Sequence, residues 1–94
     1  MTEIKIRNLR KESDSFRWTW TVIDSDAIHE YRTNAYGEGL WVYAPNGCVW
    51  VENGKSTPVF EWRQIEGTCQ FSLKGYTISG ARRKLLRKFT QNEI

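Results

Sequence analysis

The sequence predicts an α+β fold: an antiparallel β-sheet of five to seven strands with one C-terminal amphipathic α-helix packed on one face. Three observations carry this reading. Residues 3–73 fall into short period-two segments rich in β-branched and aromatic residues. Turn dipeptides separate them, and Asn53-Gly54 is the clearest hairpin signal. Past Lys74-Gly75 the apolar spacing becomes helical. A chain of 94 residues has room for one hydrophobic core, so residues 1–94 form a single domain.

The elements follow in order. Glu3–Leu9 alternates Ile4 and Ile6 with Lys5 and Arg7, a half-buried strand. Ser15–Asp24 places Phe16, Trp18, Trp20 and Val22 on one side and Arg17, Thr19 and Thr21 on the other. Ala27–Thr33 reads as a third strand and Asn34–Glu38 as a loop. The rest of the sheet is a meander over residues 39–73. Ala44-Pro-Asn-Gly47 reads as a four-residue turn, pairing Tyr43 with Cys48 and Trp41 with Trp50. Asn53-Gly54 pairs Glu52 with Lys55 and Trp50 with Thr57. Glu66-Gly67 pairs Ile65 with Thr68 and Trp62 with Phe71. This register puts Leu40, Val42, Val49, Val51, Pro58, Phe60, Trp62, Cys69, Phe71 and Leu73 on a core face. Trp41, Tyr43, Cys48, Trp50, Arg63 and Gln70 fall on the other.

A helix is expected over about 77–90, capped by Thr77 or Ser79. Ile78, Ala81, Leu85 and Phe89 form its apolar stripe, with Leu86 at the edge, and the core face of the meander is the surface it would cover. Charge is concentrated here. Residues 76–94 hold five basic side chains (Arg82, Arg83, Lys84, Arg87, Lys88) and one acid, hence +4. Residues 1–75 hold nine basic and ten acidic side chains, hence −1, which completes the net +3.

Two candidate sites follow. The basic helix face, Arg82, Arg83, Lys84, Arg87 and Lys88, is suited to phosphate contacts, which supply most nonspecific nucleic-acid affinity. A solvated face is the competing reading, because cations are favoured near a helix C-terminus. The second site is the sheet face bearing Trp41, Tyr43, Trp50, Arg63 and Gln70. It would serve as a stacking platform if open. Burial is the favoured reading, with the Phe16–Trp18–Trp20 strand folded back over the aromatic cluster. With the helix on the core face, the two sites lie on opposite sides of the domain.

The expected function is therefore a small non-enzymatic binding module for nucleic acid, acting through the basic helix with little sequence specificity. The alternative is a protein-interaction module using the aromatic sheet face: an accessory protein of phage or mobile-element type, an inhibitor of a host protein, or an oligomer subunit such as a homodimer. No catalytic motif, metal-ligand spacing or phosphate-binding loop occurs, so no enzyme activity, cofactor or metal is expected. His29, the sole histidine, has no partner constellation and reads as structural. Cys48 and Cys69 fall on opposite faces, so no disulfide is expected. No apolar run reaches the ~18 residues of a membrane span. Met1–Arg10 lacks the apolar core of a signal peptide, and a cytoplasmic location is expected.

The order of a short meander followed by one helix, over about Gly39–Thr90, resembles the small β-sheet DNA readers. The arm-binding domain of some phage integrases and a small plant DNA-binding domain are examples. That resemblance implies that the open sheet face reads DNA, which would involve Arg63 and Gln70.

Overall fold

The computed structural model describes residues 3–12, 16–25, 27–67 and 69–91, without the side chains of Asn46, Cys48 and Gln91. Five strands form one antiparallel sheet in sequence order: β1 (Ile4–Lys11), β2 (Trp18–Asp24), β3 (Ala27–Arg32), β4 (Leu40–Glu52) and β5 (Lys55–Glu66). One helix, α1 (Ile78–Gln91), packs across one face of it. The α+β class, the antiparallel sheet and the C-terminal helix agree with the sequence reading.

β1 and β2 pair from Ile4–Asp24 to Lys11–Trp18, with a bulge between Arg7 and Arg10. Asn8 sits there at φ 58°, a left-handed conformation that asparagine tolerates better than most residues. The bulge realigns the strand, so that Arg7 and Arg10 both lie outward beside Thr21 and Thr19 while Leu9 packs on the core. β2 and β3 then pair from Asp24–Ala27 to Thr19–Arg32. β3 meets β4 at only two pairs, Tyr31–Val42 and Arg32–Trp41.

The expected turn at 44–47 does not form. β4 runs on through it as one strand, and Pro45 pairs with Phe60 and Val49 with Pro58. Residues 46–48 face Val59 alone, so they bulge out of the ladder instead of reversing the chain. Gly47 does adopt a positive φ of 89°, so the local signal is present but serves a bulge. The Asn53-Gly54 hairpin forms as expected: Glu52 pairs with Lys55 and Trp50 with Thr57. Asn53 and Gly54 have φ of 55° and 77°, the two positive values that a type I′ turn needs.

The Glu66-Gly67 hairpin is also corrected. β5 pairs back along β4 as Trp41–Gln64, Val42–Arg63 and Tyr43–Trp62, leaving Trp62 unpaired with Phe71. Thr68 lies outside the described residues. The 69–76 segment is tied to the 34–39 loop by a single bridge, Glu38–Ser72. Gly39 N–H donates to Phe71 O at 2.6 Å, and Leu73 N–H to Gly37 O at 2.8 Å. A Cβ on Gly37 would stand 3.0 Å from Phe16 O and 3.2 Å from Lys74 N, and its φ is 75°. Glycine is therefore required where these segments cross. The loop itself is built on Asn34, whose Oδ1 accepts the N–H groups of Tyr36 and Glu38.

The core differs from the one expected. Ile6, Trp18, Trp20, Val22, Leu40, Phe71, Leu73, Ala81 and Leu85 are buried together. Of the proposed core face of the meander, Leu40, Phe71 and Leu73 are in the core, and Val42 and Trp62 are half-buried. Val49, Val51, Pro58, Phe60 and Cys69 are exposed. The helix lies on β1 and β2 and not on the β4–β5 hairpin. Trp18 and Trp20 thus serve as its floor and do not fold over Trp41 and Tyr43. The reason is local: Ala81 and Leu85 need a dense apolar surface, and β2 supplies two tryptophans and a valine on one side. Thr77 caps the helix, its Oγ1 accepting the Gly80 N–H at 3.1 Å. Phe89 extends the apolar stripe onto Tyr31, their rings 4.7 Å apart, whereas Ile78 is exposed.

Cys69 is exposed and keeps its thiol; the Cys48 side chain lies outside the described residues. No described helix is long and apolar enough to cross a membrane.

Candidate nucleic-acid interface

The helix covers one face of the sheet and leaves the other open. Alternation from the observed register gives the open face Lys5, Arg7 and Arg10 from β1, and Thr19 and Thr21 from β2. β3 adds Glu30 and Arg32, and β4 adds Trp41 and Tyr43. β5 contributes Phe60, Trp62 and Gln64. One cross-strand row reads Arg10, Thr19, Arg32, Trp41, Gln64. Among these described strand residues, four cations share the face with one carboxylate, Glu30, and with four aromatic rings.

Arg32 joins the two groups. Its guanidinium lies 4.3 Å from the Trp62 ring centroid and 5.8 Å from that of Trp41. Such stacking fixes the plane of the fork and leaves its N–H edges to bond outward. Burial, and secondarily the positive charge of Arg17, lowers the Arg32 pKa from its ordinary value. The side chain still carries its charge at neutral pH. Tyr43 stacks on Phe60 at 5.6 Å with ring planes 15° apart, and meets Trp62 at 5.0 Å. Tyr43 and Phe60 are exposed. Beside them a concavity of about 310 Å³ is bordered by Asn8, Arg10, Thr19, Thr21, Glu30 and Trp62.

The sheet-face residues expected to act together are divided. Trp41 and Tyr43 do lie on the open face. Trp50 does not: without a reversal at 44–47, odd and even residues of one strand face opposite ways, and Trp50 pairs with Thr57 on the far side. It is exposed, with its indole N–H donating to Glu52 at 3.2 Å. Arg63 pairs with Val42 and is likewise directed away from the open face. Gln70 lies beside the helix, in a groove with Arg83 and Arg87.

The five helix cations are divided too. Arg82 donates to Ile6 O at 2.8 Å, tying the helix to β1. Lys84 donates to Ser72 O at 2.6 Å and lies over Phe71 and Tyr76. Lys88 forms an ion pair with Glu66. Arg83 and Arg87 are exposed and make no hydrogen bond or ion pair with the described residues. The basic helix face is thus partly structural.

Arg32, Trp62, Phe60 and the β1 cations did not emerge as site residues from the sequence. The alternation of Lys5 and Arg7 against Ile4 and Ile6 was visible. What was missing was the continuity of β1 to β5 in a single sheet, which brings those cations onto the same face as Trp41. His29 is exposed on β3, 6.4 Å from the Tyr31 ring, while Glu61 and Arg63 lie on β5. Among the described residues, no three His, Cys, Asp or Glu side chains converge as a metal site. No protein-family model, curated protein or solved structure matches the chain.

Proposed function

We propose that this domain binds single-stranded nucleic acid on its open sheet face. The observation that carries the reading is the stacking of Arg32 on Trp62 and Trp41 beside the exposed Tyr43–Phe60 pair. Single strands are held by aromatic side chains that stack on bases and by cations that follow the backbone. Tyr43 and Phe60 supply the stacking surface. Lys5, Arg7 and Arg10, across β3 and β2 on the far edge strand β1, supply the phosphate contacts. Exposed aromatic rings favour unpaired bases over a duplex, whose bases are stacked on one another.

The test is affinity for a mixed-sequence single strand at two salt concentrations, with Tyr43→Ala and Arg7→Ala variants. Losing a stacked base costs roughly 1–3 kcal/mol. Tyr43→Ala is therefore expected to weaken binding at both salt concentrations with the salt slope unchanged. Arg7→Ala is expected to reduce that slope by about 0.7, the contribution of one phosphate contact in a single strand. Binding no tighter than ~100 μM at low salt, where nonspecific binders reveal themselves, would remove the proposal.

A second reading, a protein-interaction module, is favoured by a different observation. The distal part of the β4–β5 hairpin exposes Val49 and Val51 on one face and Trp50 on the other. Pro45, Pro58 and the bulge at 46–48 interrupt its strand edges. Those features disfavour edge-to-edge pairing and leave the side-chain faces as the contact surface. Sizing chromatography of the native chain against Trp50→Ala tests a homodimer: a dimer that the substitution dissolves supports it.

A further inference from the structure

We infer that the groove between α1 and the 69–76 segment is a phosphate-binding site, gripped by Arg83 and Arg87. The groove has a volume of about 630 Å³ and lies on the helix side of the domain, away from the open sheet face. Arg83, Lys84, Arg87 and Lys88 line it together with Gln70 and Tyr76, and among the described residues no carboxylate does.

The two lysines are held in place. Lys84 Nζ is anchored by Ser72 O and sits 5.0 Å from the ring centroids of both Phe71 and Tyr76. Lys88 is anchored by Glu66 and lies 5.5 Å from the Phe71 ring. An ammonium group has three donors, so each keeps N–H groups beyond its anchor. Arg83 and Arg87 stand one helical turn apart as like charges, an arrangement that is destabilising without an anion between them. The helix macrodipole does not explain them, because its influence is confined to the terminal turns and only Lys88 is in the last one.

Several fixed cations around one concavity match an anion with several acceptor oxygens. A guanidinium fork binds two phosphate oxygens at once, and the lysines add point charges. The chemistry required is a phosphate oxyanion, whether a condensed inorganic phosphate or the phosphodiester backbone of a nucleic acid. The site does not depend on the sheet-face proposal, since it needs no bases.

The experiment is an NMR titration of the native chain with inorganic tripolyphosphate at constant ionic strength. Saturable shifts are expected at Gln70, Gly80 and the Arg83 and Arg87 side chains, with a Kd of ~1 mM or tighter. The double substitution Arg83→Ala/Arg87→Ala is expected to weaken this roughly tenfold or more. Arg63→Ala, which removes an exposed arginine elsewhere, is expected to leave it unchanged. Both groove arginines are exposed, and retained amide dispersion would establish that the double variant is folded. Non-saturable shifts, equal shifts with sulfate, or undiminished binding by the folded double variant would overturn the proposal. A second arm uses a short DNA duplex. Shifts at the same groove residues assign the site to the phosphodiester backbone, and shifts with tripolyphosphate alone assign it to a free condensed phosphate. Failure of single-strand binding at Tyr43 would remove the sheet-face reading and leave this result intact.

Discussion

Two parts of the same sheet use the same residue types to opposite ends. In the body, Trp18, Trp20 and Val22 of β2 are 1%, 2% and 3% exposed. On the β4–β5 arm, Val49, Trp50 and Val51 are 59%, 64% and 63% exposed. Both segments read as apolar, aromatic strands, and both carry strong period-two or continuous apolar patterns. The difference is the helix. Ala81 and Leu85 cover β1 and β2, and among the described residues no other element packs on the distal arm. Burial is a property of what lies opposite a strand, and composition alone does not set it.

The sharpest way to break this comparison is to truncate one tryptophan in each part. Trp20→Ala removes a ring packed against Tyr31 at 6.0 Å and Phe71 at 6.0 Å. It is expected to destabilise the fold by about 3–5 kcal/mol, read from urea unfolding. Chemical denaturation showing a loss under ~1 kcal/mol would mean that the helix-covered core is not the one described. Thr77→Ala is next. It removes the oxygen that accepts the Gly80 N–H, and a loss of ~1 kcal/mol is expected by the same measurement.

A third test addresses Tyr31, which lies at the border between the two parts. Burial first, and the charge of Asp24 second, raise its pKa above the ordinary 10.0. The folded state thus favours the neutral phenol. That stabilisation is complete below pH ~10, the unfolded value, and is lost as pH rises through the higher folded value. Tyr31→Phe is expected to flatten the alkaline end of the stability profile while leaving its neutral region nearly flat. An identical alkaline slope in the two proteins would contradict the burial assigned to Tyr31. The smallest effect belongs to the arm: Trp50→Ala is expected to change stability by less than about 0.5 kcal/mol, since the residue is largely exposed. A large loss would show that the arm is covered in solution, and would make it an interface.

The legibility of the sequence follows the same division. The hairpin at Asn53-Gly54 was readable because two consecutive positive φ values are a local demand that those residues meet. The β2 face was readable because Trp18, Trp20 and Val22 alternate without interruption. Ala44-Pro-Asn-Gly47 was misread because the same residues suit a turn and a bulge, and the choice depends on whether a longer partner strand is present. That choice moved Trp50 off the face of Trp41. It also moved Arg63 and Gln70 away from the site and replaced them with Arg32 and Trp62. The helix cations were found from spacing, but spacing does not say that Arg82, Lys84 and Lys88 are engaged by Ile6, Ser72 and Glu66.

By itself, then, the sequence determined the α+β class, the C-terminal helix with a cap at Thr77 or Ser79, and the concentration of positive charge in the last quarter of the chain. These depend on residues near one another in the chain, through periodicity, capping and turn geometry. Tertiary structure alone decided which strands the helix covers, and hence which aromatic residues are core and which are surface. It also decided that the β1 cations share a face with Trp41, Tyr43, Phe60 and Trp62. Those outcomes depend on pairings between residues far apart in sequence, where competing registers differ by the packing of whole faces and no short motif distinguishes them.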